Sequence, residues 1–436
     1  MKRIVFFSIL ALCVCVIRVN AANQIFDVRE FGAKGDGKTI DTEAIQKALD
    51  ACGKAGGGTV KFSAGTYLSR PITLRTKTTV QLEADAILKA TDEPADFLRD
   101  GVTWDEILAG KKKGPFDPFI GGKDLEDVTI EGKGTIDGSG AKWWIPAEEA
   151  RRKVSGYTLP RPNLVVLNRC KNVRLSGITL LNSPKFHFVP TDCDGVRVED
   201  VTVLAPERAA NTDAIDPSRC RDVIITRCHI DVGDDNVAIK SGKKVPGREF
   251  ACENITITDC VFVHGHGVSI GSETVGGVRN VTVKNCRFEN TENGIRIKSR
   301  RGRGGRVEDI TYENLTMTNV YPALSFAGYY QDSSQLKFLN EDKAQPVTET
   351  TPQFKNIRVI NLTANSLKGA GVIVGLPECL MTNVVLENVH IKAKTGLTIA
   401  NAKDVQLRDV TITVEKGEPF ILHNAEVSGL PESATQ

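Results

Sequence analysis

Residues 171–180 read KNVRLSGITL, and the same pattern returns five times before residue 318. The later copies are DGVRVEDVTV at 194–203, RDVIITRCHI at 221–230, ENITITDCVF at 253–262, VRNVTVKNCRF at 278–288 and VEDITYENLTM at 307–317. One matching aliphatic residue in the first half of each copy serves as an anchor, and successive anchors are 23, 27, 32, 26 and 29 residues apart. Repetition at about 20 to 50 residues is typical of a solenoid. The six anchors are Val173, Val196, Val223, Ile255, Val281 and Ile310.

Each copy also predicts the kind of solenoid. Apolar and polar residues alternate within it, which is the pattern of a β-strand. Short strands separated by Gly, Asn and Asp, with one set per repeat, predict a right-handed parallel β-helix. The pattern extends back to Val128 and forward to Ile357, Val384 and Val405. We therefore expect an all-β, single-domain right-handed parallel β-helix.

Three stretches depart from the repeat. Residues 39–51 (TIDTEAIQKALDA) have helical apolar spacing and predict a helix that caps the N-terminal coil, because an open strand edge would otherwise be exposed. Residues 91–120 are irregular, and residues 333–352 are polar and break the pattern. We interpret these two stretches as loops over the solenoid. Trp104, Trp143 and Trp144 are expected to pack against it.

The N-terminus predicts export. Lys2 and Arg3 precede an apolar run from Ile4 to Ile17, and small residues end at Ala21. This is the pattern of a signal peptide over residues 1–21, and the run is too short to span a membrane. Residues 22–436 would then form the catalytic domain of a secreted or periplasmic protein, without stable membrane insertion after cleavage. The mature chain has 53 Lys and Arg against 54 Asp and Glu. This balance indicates no class of partner; we expect no nucleic-acid partner, and we expect a monomer.

The cysteines follow the repeat. Nine of eleven lie outside the predicted signal peptide, and seven of these keep a fixed distance from an anchor, so they form two columns. There is no CxxC pair, which argues against a zinc site. Buried thiols are the favoured interpretation, because free Cys is among the most buried residue types. Disulfides between adjacent coils stay open, since export permits oxidation.

Charged residues recur at matching positions of four strands. The segments are NTDAIDPS (211–218), DDNVAIKS (234–241), HGVSIGSE (266–273) and NGIRIKSR (293–300). Superposing their central aliphatic residues places Asp213, Asp235 and His266 in one column, about 5 Å apart per coil. Arg296 and Lys298 are two residues apart, so both project from the same strand face. Carboxylates, a histidine and two cations on one face form a candidate active site.

Four motifs carry a family resemblance. NTDAIDP, GDDNVAIKSG, GHGVSIGSET and GIRIKS resemble the signature segments of the polygalacturonases, glycoside hydrolase family 28, in order and in spacing. The resemblance implies a secreted enzyme that hydrolyses α-1,4-galacturonosyl bonds of pectin with inversion, without a metal or other cofactor. One departure is Ala214, where the family commonly has Gly.

Glycoside hydrolysis needs a protonated carboxyl for the leaving oxygen and a second carboxylate, which activates water or attacks directly. The resemblance assigns Asp234 as the general acid. It assigns to Asp213 and Asp235 the role of holding and activating the attacking water. Like charges close together raise the pKa of one member, which suits this division. His266 would hydrogen-bond near the acid and help to set its protonation state.

The resemblance also implies residues that bind the sugar. Arg296 and Lys298 would hold the galacturonate carboxylate, a charge-assisted contact. Tyr330 resembles the family's substrate-contacting tyrosine, although Tyr329 competes with it. Asn211 is expected to be structural or to orient water.

Further charged residues lie near the expected groove. Lys240 and His187 receive no catalytic role. The basic run KSRRGRGGR (298–306) is either a solvated loop or a subsite for a polyanion.

Several functions compete with the favoured endo-polygalacturonase. NTDAIDP, GDDNVAIK and GHGVSIGSET resemble bacterial endo-acting enzymes most. An exo-polygalacturonase would result if the loops at 91–120 or 333–352 closed one end of the groove. A rhamnogalacturonan hydrolase of the same family is a further alternative. A pectate lyase would require Ca²⁺ and release unsaturated product, and a non-catalytic carbohydrate-binding β-helix would not explain the charged column.

Overall fold

The computed structural model describes residues 24–153, 158–243, 251–330 and 341–431. These residues form a right-handed parallel β-helix in which three parallel sheets enclose one core. The predicted signal peptide falls on residues 1–21, outside the described residues. Within these ranges, no helix has the length and apolar character needed to cross a membrane.

The strands are numbered β1 to β32 in chain order. The first sheet contains β1 (Ile25–Asp27), β3 (Gly58–Phe62), β6 (Thr78–Leu82), β9 (Glu126–Gly132), β12 (Lys171–Ser176), β15 (Asp194–Glu199), β17 (Arg221–Thr226), β20 (Cys252–Thr258), β23 (Val278–Lys284), β26 (Arg306–Val320), β28 (Gln353–Ser366), β30 (Met381–Ala393), β31 (Thr395–Val414) and β32 (Phe420–Ser428). The second sheet contains β2 (Asp36–Ile40), β4 (Gly65–Ser69), β7 (Ala86–Ala90), β10 (Thr135–Asp137), β13 (Thr179–Leu181), β16 (Thr202–Leu204), β18 (His229–Asp231), β21 (Val261–Val263) and β24 (Arg287–Glu289), and continues into the later parts of β26, β28, β30 and β31.

The third sheet carries the candidate site on its outer face. It contains β5 (Ile72–Thr73), β8 (Ile120–Lys123), β11 (Val165–Asn168), β14 (Phe188–Thr191), β19 (Val237–Ile239), β22 (Val268–Gly271), β25 (Ile295–Lys298), β27 (Leu324–Ala327) and β29 (Gly369–Val374), and ends on parts of β31 and β32. Between β14 and β19, residues Ile215 and Ser218 continue the sheet through isolated bridges.

The predicted anchors stack in the predicted register. Val173 pairs with Val128 on one side and Val196 on the other, and the column runs on coil by coil as far as Val405. Every anchor is at most 1% exposed. Burying one such side chain contributes roughly 1.5 to 3 kcal/mol, so the repeated aliphatic column is a main source of stability.

Asn and Asp residues turn the chain between the sheets. The residue before an anchor adopts a left-handed backbone, as at Asn254 (φ 57°) and Asn280 (φ 53°). Their side chains also bond from coil to coil: Asn254 Nδ2 donates to Asp222 at 2.8 Å, and Asn280 Nδ2 donates to Asn254 at 2.7 Å. Asn and Asp tolerate this conformation better than other residues that carry a Cβ, which explains their recurrence in the sequence.

Helices cover one end and one side of the solenoid. Helix α1 (Thr42–Lys54) begins three residues later than the predicted start and packs on β1, β3 and β5, as a cap of the first coil. Helix α2 is Trp104–Leu108 and helix α3 is Ala141–Lys153, which the sequence did not predict. Trp104 and Trp143 meet edge to face at 5.2 Å, so these tryptophans pack as expected.

The nine cysteines in the described ranges are free thiols, and eight are buried. Their columns agree with the repeat. The backbone N–H of Cys220 points at Sγ of Cys252 at 3.4 Å, and that of Cys228 at Sγ of Cys260 at 3.5 Å. The structure therefore agrees with the interpretation of these cysteines as buried thiols.

Candidate active site

The third sheet fixes the register of the candidate site. Ile215 pairs with Val237, Val237 with Val268, and Val268 with Ile295, which is the superposition predicted from the sequence. All four side chains are at most 1% exposed, so they hold the site on a rigid inner wall. The residues beside them face outward.

Asp213 and Asp216 share one ammonium group. Lys240 Nζ lies 3.3 Å from Asp213 Oδ2 and in closer contact with Asp216 Oδ2. The Oδ1 atoms of both aspartates are buried and have no hydrogen-bond partner among the described residues. Burial, with a smaller contribution from neighbouring carboxylates, raises the pKa of Asp213 well above its usual value. Burial also raises the pKa of Asp216 to about 6, although Lys240 opposes it.

Asp235 is close to two cations, Lys298 and Arg296. Its Oδ1 accepts from Ser269 Oγ at 2.8 Å, and its Oδ2 accepts from Lys298 Nζ at 2.5 Å. Arg296 Nη1 lies 3.9 Å from Oδ1. Burial acts to raise the pKa of Asp235, but the charges of Lys298 and Arg296 outweigh it, so the net shift is downward.

His266 lies between two carboxylates. Its Nδ1 is 3.0 Å from Asp234 Oδ1 and 3.9 Å from Asp235 Oδ1, while its Nε2 is 2.9 Å from Glu292 Oε2. Burial acts to lower the pKa of His266, but hydrogen bonds to Asp234 and Glu292 raise it to about 10. The imidazole is therefore protonated at neutral pH.

Asp234 departs from the expectation for a proton donor. Burial acts to raise its pKa, but the hydrogen bond and charge of His266, and then the charge of Lys298, lower it well below the usual value. The raised pKa that crowded carboxylates predict falls on Asp213 instead. In this state the proton of the Asp234–His266 pair resides on the histidine.

Glu292 was missed in the sequence, although the repeat contained a signal for it. It precedes Ile295 by three residues, as Asp234 precedes Val237, so both occupy the same register position. The backbone N–H of Glu292 donates to Gly265 O at 2.7 Å, which sets the turn.

Arg161 was also missed. It is 4% exposed and lies under Asn211, whose Oδ1 accepts from Arg161 Nη2 at 2.8 Å. Asn211 Nδ2 in turn donates to Asp234 Oδ2 at 3.4 Å. Arg161 Nη1 donates to the backbone carbonyls of Pro184 and Ala210. Asn211 is thus held against Asp234 from below, which fits the structural or orienting role expected for it.

The two adjacent tyrosines have different surroundings. The Tyr330 ring lies 5.5 Å from the Arg296 guanidinium and 5.4 Å from Lys298 Nζ. Tyr329 is 5% exposed and donates to Asp342 Oδ2 at 2.7 Å. Tyr330 therefore borders the cation pair, and Tyr329 packs.

His187 and Ala214 are structural. His187 is fully buried: its Nε2 accepts from Ser183 N at 3.3 Å, and its Nδ1 is 3.2 Å from Asp213 O. Burial lowers the pKa of His187 to about 4, so its ring is neutral. Ala214 is buried outside the left-handed region, which explains why a Cβ is tolerated there.

The basic run beside the site is largely neutralised. Arg301 bonds Asp342 at 2.9 Å and Glu378 at 2.7 Å, and Arg303 contacts Glu273. These pairs favour a structural role for this loop over a polyanion subsite.

Comparison with known proteins agrees with this geometry. Residues 52–406 match the family Glycosyl hydrolases family 28. The chain belongs to this family. This family 28 chain is therefore a glycoside hydrolase. It is 34% identical over 379 residues to an endo-polygalacturonase of Pectobacterium carotovorum subsp. carotovorum, covering 84% of this chain and 88% of that one.

Solved structures that are similar to this family 28 chain include two polygalacturonases. The polygalacturonase from Erwinia carotovora ssp. carotovora superposes with a TM-score of 0.66 and 31% identity, covering 90% of this chain and 94% of that one. A hyperthermoactive exopolygalacturonase from Thermotoga maritima superposes with a TM-score of 0.73 and 25% identity, covering 92% of each chain.

Proposed function

We propose that the chain is a secreted polygalacturonase that hydrolyses α-1,4-galacturonosidic bonds of pectin with inversion. The observation that carries the proposal is the arrangement of Asp213, Asp234 and Asp235 beside the cation pair Arg296 and Lys298 on the outer side of the third sheet. The carboxylates supply acid and base, and the cations suit a sugar that carries a carboxylate. Similarity to an endo-polygalacturonase over 84% of the chain supports the same substrate.

The acid in this proposal is Asp234, and His266 stores its proton. Lys298 helps to lower the pKa of Asp234 in the free site. When a galacturonate carboxylate pairs with Lys298 and Arg296, their positive charge is offset, so the pKa of Asp234 rises. The proton then moves from Nδ1 of His266 across the 3.0 Å contact to Asp234, which donates it to the leaving oxygen.

The water in this proposal lies between Asp235 and Asp213. Asp235 suits the base, because its lowered pKa leaves it ionised in the free site, and its direct contact with Lys298 Nζ opposes its protonation when the substrate binds. Asp213, with a raised pKa, suits a group that hydrogen-bonds the water oxygen. Asn211 holds the acid, and Tyr330 and the cation pair bind the sugar.

We propose endo action. The 34% identical relative is an endo-polygalacturonase, whereas the Thermotoga structure of similar fold is an exopolygalacturonase, so the comparisons leave both modes open. Export through removal of residues 1–21, which leaves a single domain over 22–436, is part of the proposal. So is action as a monomer, since one chain supplies every side chain named in the site.

A calcium-dependent lyase is disfavoured by charge. Among the described residues, one group could hold a metal ion. Asp234, Asp235 and His266 each offer one ligand atom, and these atoms lie within 4.8 Å of one another. However, Lys298 Nζ already contacts Asp235, and His266 is protonated, so a divalent cation would meet two positive groups.

Product analysis of the purified mature chain on polygalacturonate, with a chelator present, tests the proposal. A ladder of saturated oligogalacturonides is expected, and Asp234→Asn should abolish it while substrate binding is retained. Monogalacturonate alone would replace endo by exo action. Unsaturated products, or activity that returns only with Ca²⁺, would reject the hydrolase assignment.

A further inference from the structure

Lys185 is a half-buried cation without a counterion. It lies in NSPKFHF (182–188), on the coil before Asp213. In the part of the chain that the structure describes, its Nζ makes no hydrogen bond or ion pair, and its aromatic contact is Phe186, whose ring centroid is 4.5 Å away. An unpaired ammonium that has lost part of its hydration is unfavourable, which points to an anion supplied from outside.

The Phe186 ring joins this cation to the aspartates. Lys240 Nζ also lies 4.5 Å from its centroid, so the two ammonium groups are within about 9 Å of each other. Lys240 is neutralised by Asp213 and Asp216, whereas Lys185 is not. Burial and then the charge of Arg161 lower the pKa of Lys185, so an arriving anion would be stabilising.

Lys185 and the cation pair lie on opposite sides of the aspartates. Phe188 pairs with Ile215, which precedes Val237, Val268 and Ile295 in the sheet. Lys185 therefore lies one coil before Asp213, and Arg296 lies three coils after Asp213. At roughly 4.8 Å per coil, about 19 Å separates the backbones of these two strands, and the charged groups of Arg296 and Lys298 reach back two coils to Asp235.

We propose that Lys185 and Phe186 form a second uronate-binding subsite. Lys185 Nζ pairs with the carboxylate of a sugar on the side of the cleaved bond opposite Arg296 and Lys298, and the Phe186 ring holds this ammonium group in place. The inference rests on the proposed function, because it assumes a chain of uronates in this groove. A charge-assisted contact of this kind is selective for the ionised sugar.

Calorimetric titration tests the subsite. An oligogalacturonate long enough to span both ends is titrated into the Asp234→Asn chain, with Lys185 intact or changed to Met. We expect Lys185→Met to raise Kd about tenfold, and Lys185→Arg to stay within about threefold. Lys284→Met is the matched control, because Lys284 is also half-buried but lies on β23 in the first sheet.

Each outcome separates the subsite from the function. A Kd that changes less than about twofold in Lys185→Met, an equal change in Lys284→Met, or no binding at all overturns the subsite. If the unaltered chain hydrolyses polygalacturonate and Lys185→Met binds normally, the subsite alone is wrong. If the tenfold ratio holds but the unaltered chain does not hydrolyse, the uronate subsite stands and the hydrolase proposal fails. Melting temperatures identify any variant that has not folded.

Discussion

Lys298 Nζ lies 2.5 Å from Asp235 Oδ2, although the strand of Lys298 is two coils beyond that of Asp235. The coil between them carries Gly271 in register with Lys298. A Cβ built on Gly271 would lie 3.5 Å from Cγ of Lys298 and 2.0 Å from its carbonyl oxygen, so a side chain there would crowd the lysine. A residue that would bind the sugar carboxylate is thereby coupled to the proposed base.

Lys298→Met should impair chemistry as well as binding. The pKa of Asp235 is lowered by Lys298, so removal of the ammonium raises it, and the base becomes protonated at a higher pH. We expect the acidic limb of the pH dependence of kcat/KM to move to higher pH, and kcat to fall roughly 100-fold. Lys298→Arg, which keeps the charge, should retain the position of the limb. An unshifted limb in Lys298→Met would contradict the coupling.

Glu292→Gln should lower the pKa of His266, since one of its two carboxylate partners loses its charge. The raised pKa of about 10 contributes stability that is complete below pH about 6.5 and disappears as the pH rises through 10. The variant should lose this contribution at a lower pH, and the basic limb of its activity should shift the same way. Thermal unfolding and kcat/KM measured from pH 5 to about 10 check both effects. Glu289→Gln, a partly exposed carboxylate on β24, should leave both curves in place.

Asp216→Asn should change how stability depends on pH. The folded pKa of about 6 exceeds the unfolded value, so the unaltered chain is most favoured below pH about 4 and loses stability as the pH rises through 6. The asparagine does not ionise, so the free energy of unfolding of the variant, relative to that of the unaltered chain, should rise by on the order of 2 kcal/mol between pH 4 and 7. Urea unfolding at both pH values measures the difference. Asp105→Asn, exposed on α2, is the control, and a gain that does not depend on pH would refute the explanation.

Methyl esterification of the pectin should lower kcat/KM. An ester carries no charge for Arg296 and Lys298, so kcat/KM should be at least about tenfold higher on demethylated than on highly methylated pectin. Arg296→Gln should raise KM on the demethylated substrate and reduce this ratio. Arg306→Gln, exposed in the same basic run, should change neither quantity. Equal rates of the unaltered chain on both pectins would argue against a carboxylate clamp.

The sequence predicted the coil register well, because a parallel β-helix repeats one geometric rule. Once Val173 and Val196 are recognised as equivalent, hydrogen bonding between coils fixes every later pair, including Ile215 with Val237. The proximity of His266 to Asp235 followed from the same rule.

Other parts of the site depend on side-chain contacts that no repeat encodes. Arg161 lies outside any repeated segment, and its partner Asn211 is 50 residues away. Tyr329 and Tyr330 are adjacent, and Tyr329 faces inward because it bonds Asp342 and packs with Val374 and Leu376. The protonation of the Asp234–His266 pair depends on Glu292 and Lys298 together, so the residue types alone suggested a different carrier of the raised pKa.

Because the coils stack at a constant spacing, the groove is divided along its length into equal steps of one coil each. The chemistry occupies the coils of Asp213 to His266, and each coil beyond them adds one outward position at a fixed rise of roughly 4.8 Å. In such an array each repeat contacts mainly its neighbours. Deletion or duplication of a coil on the N-terminal side of Asp213 would therefore change the length of chain that is read on that side, while the distance from the aspartates to Arg296 stays the same.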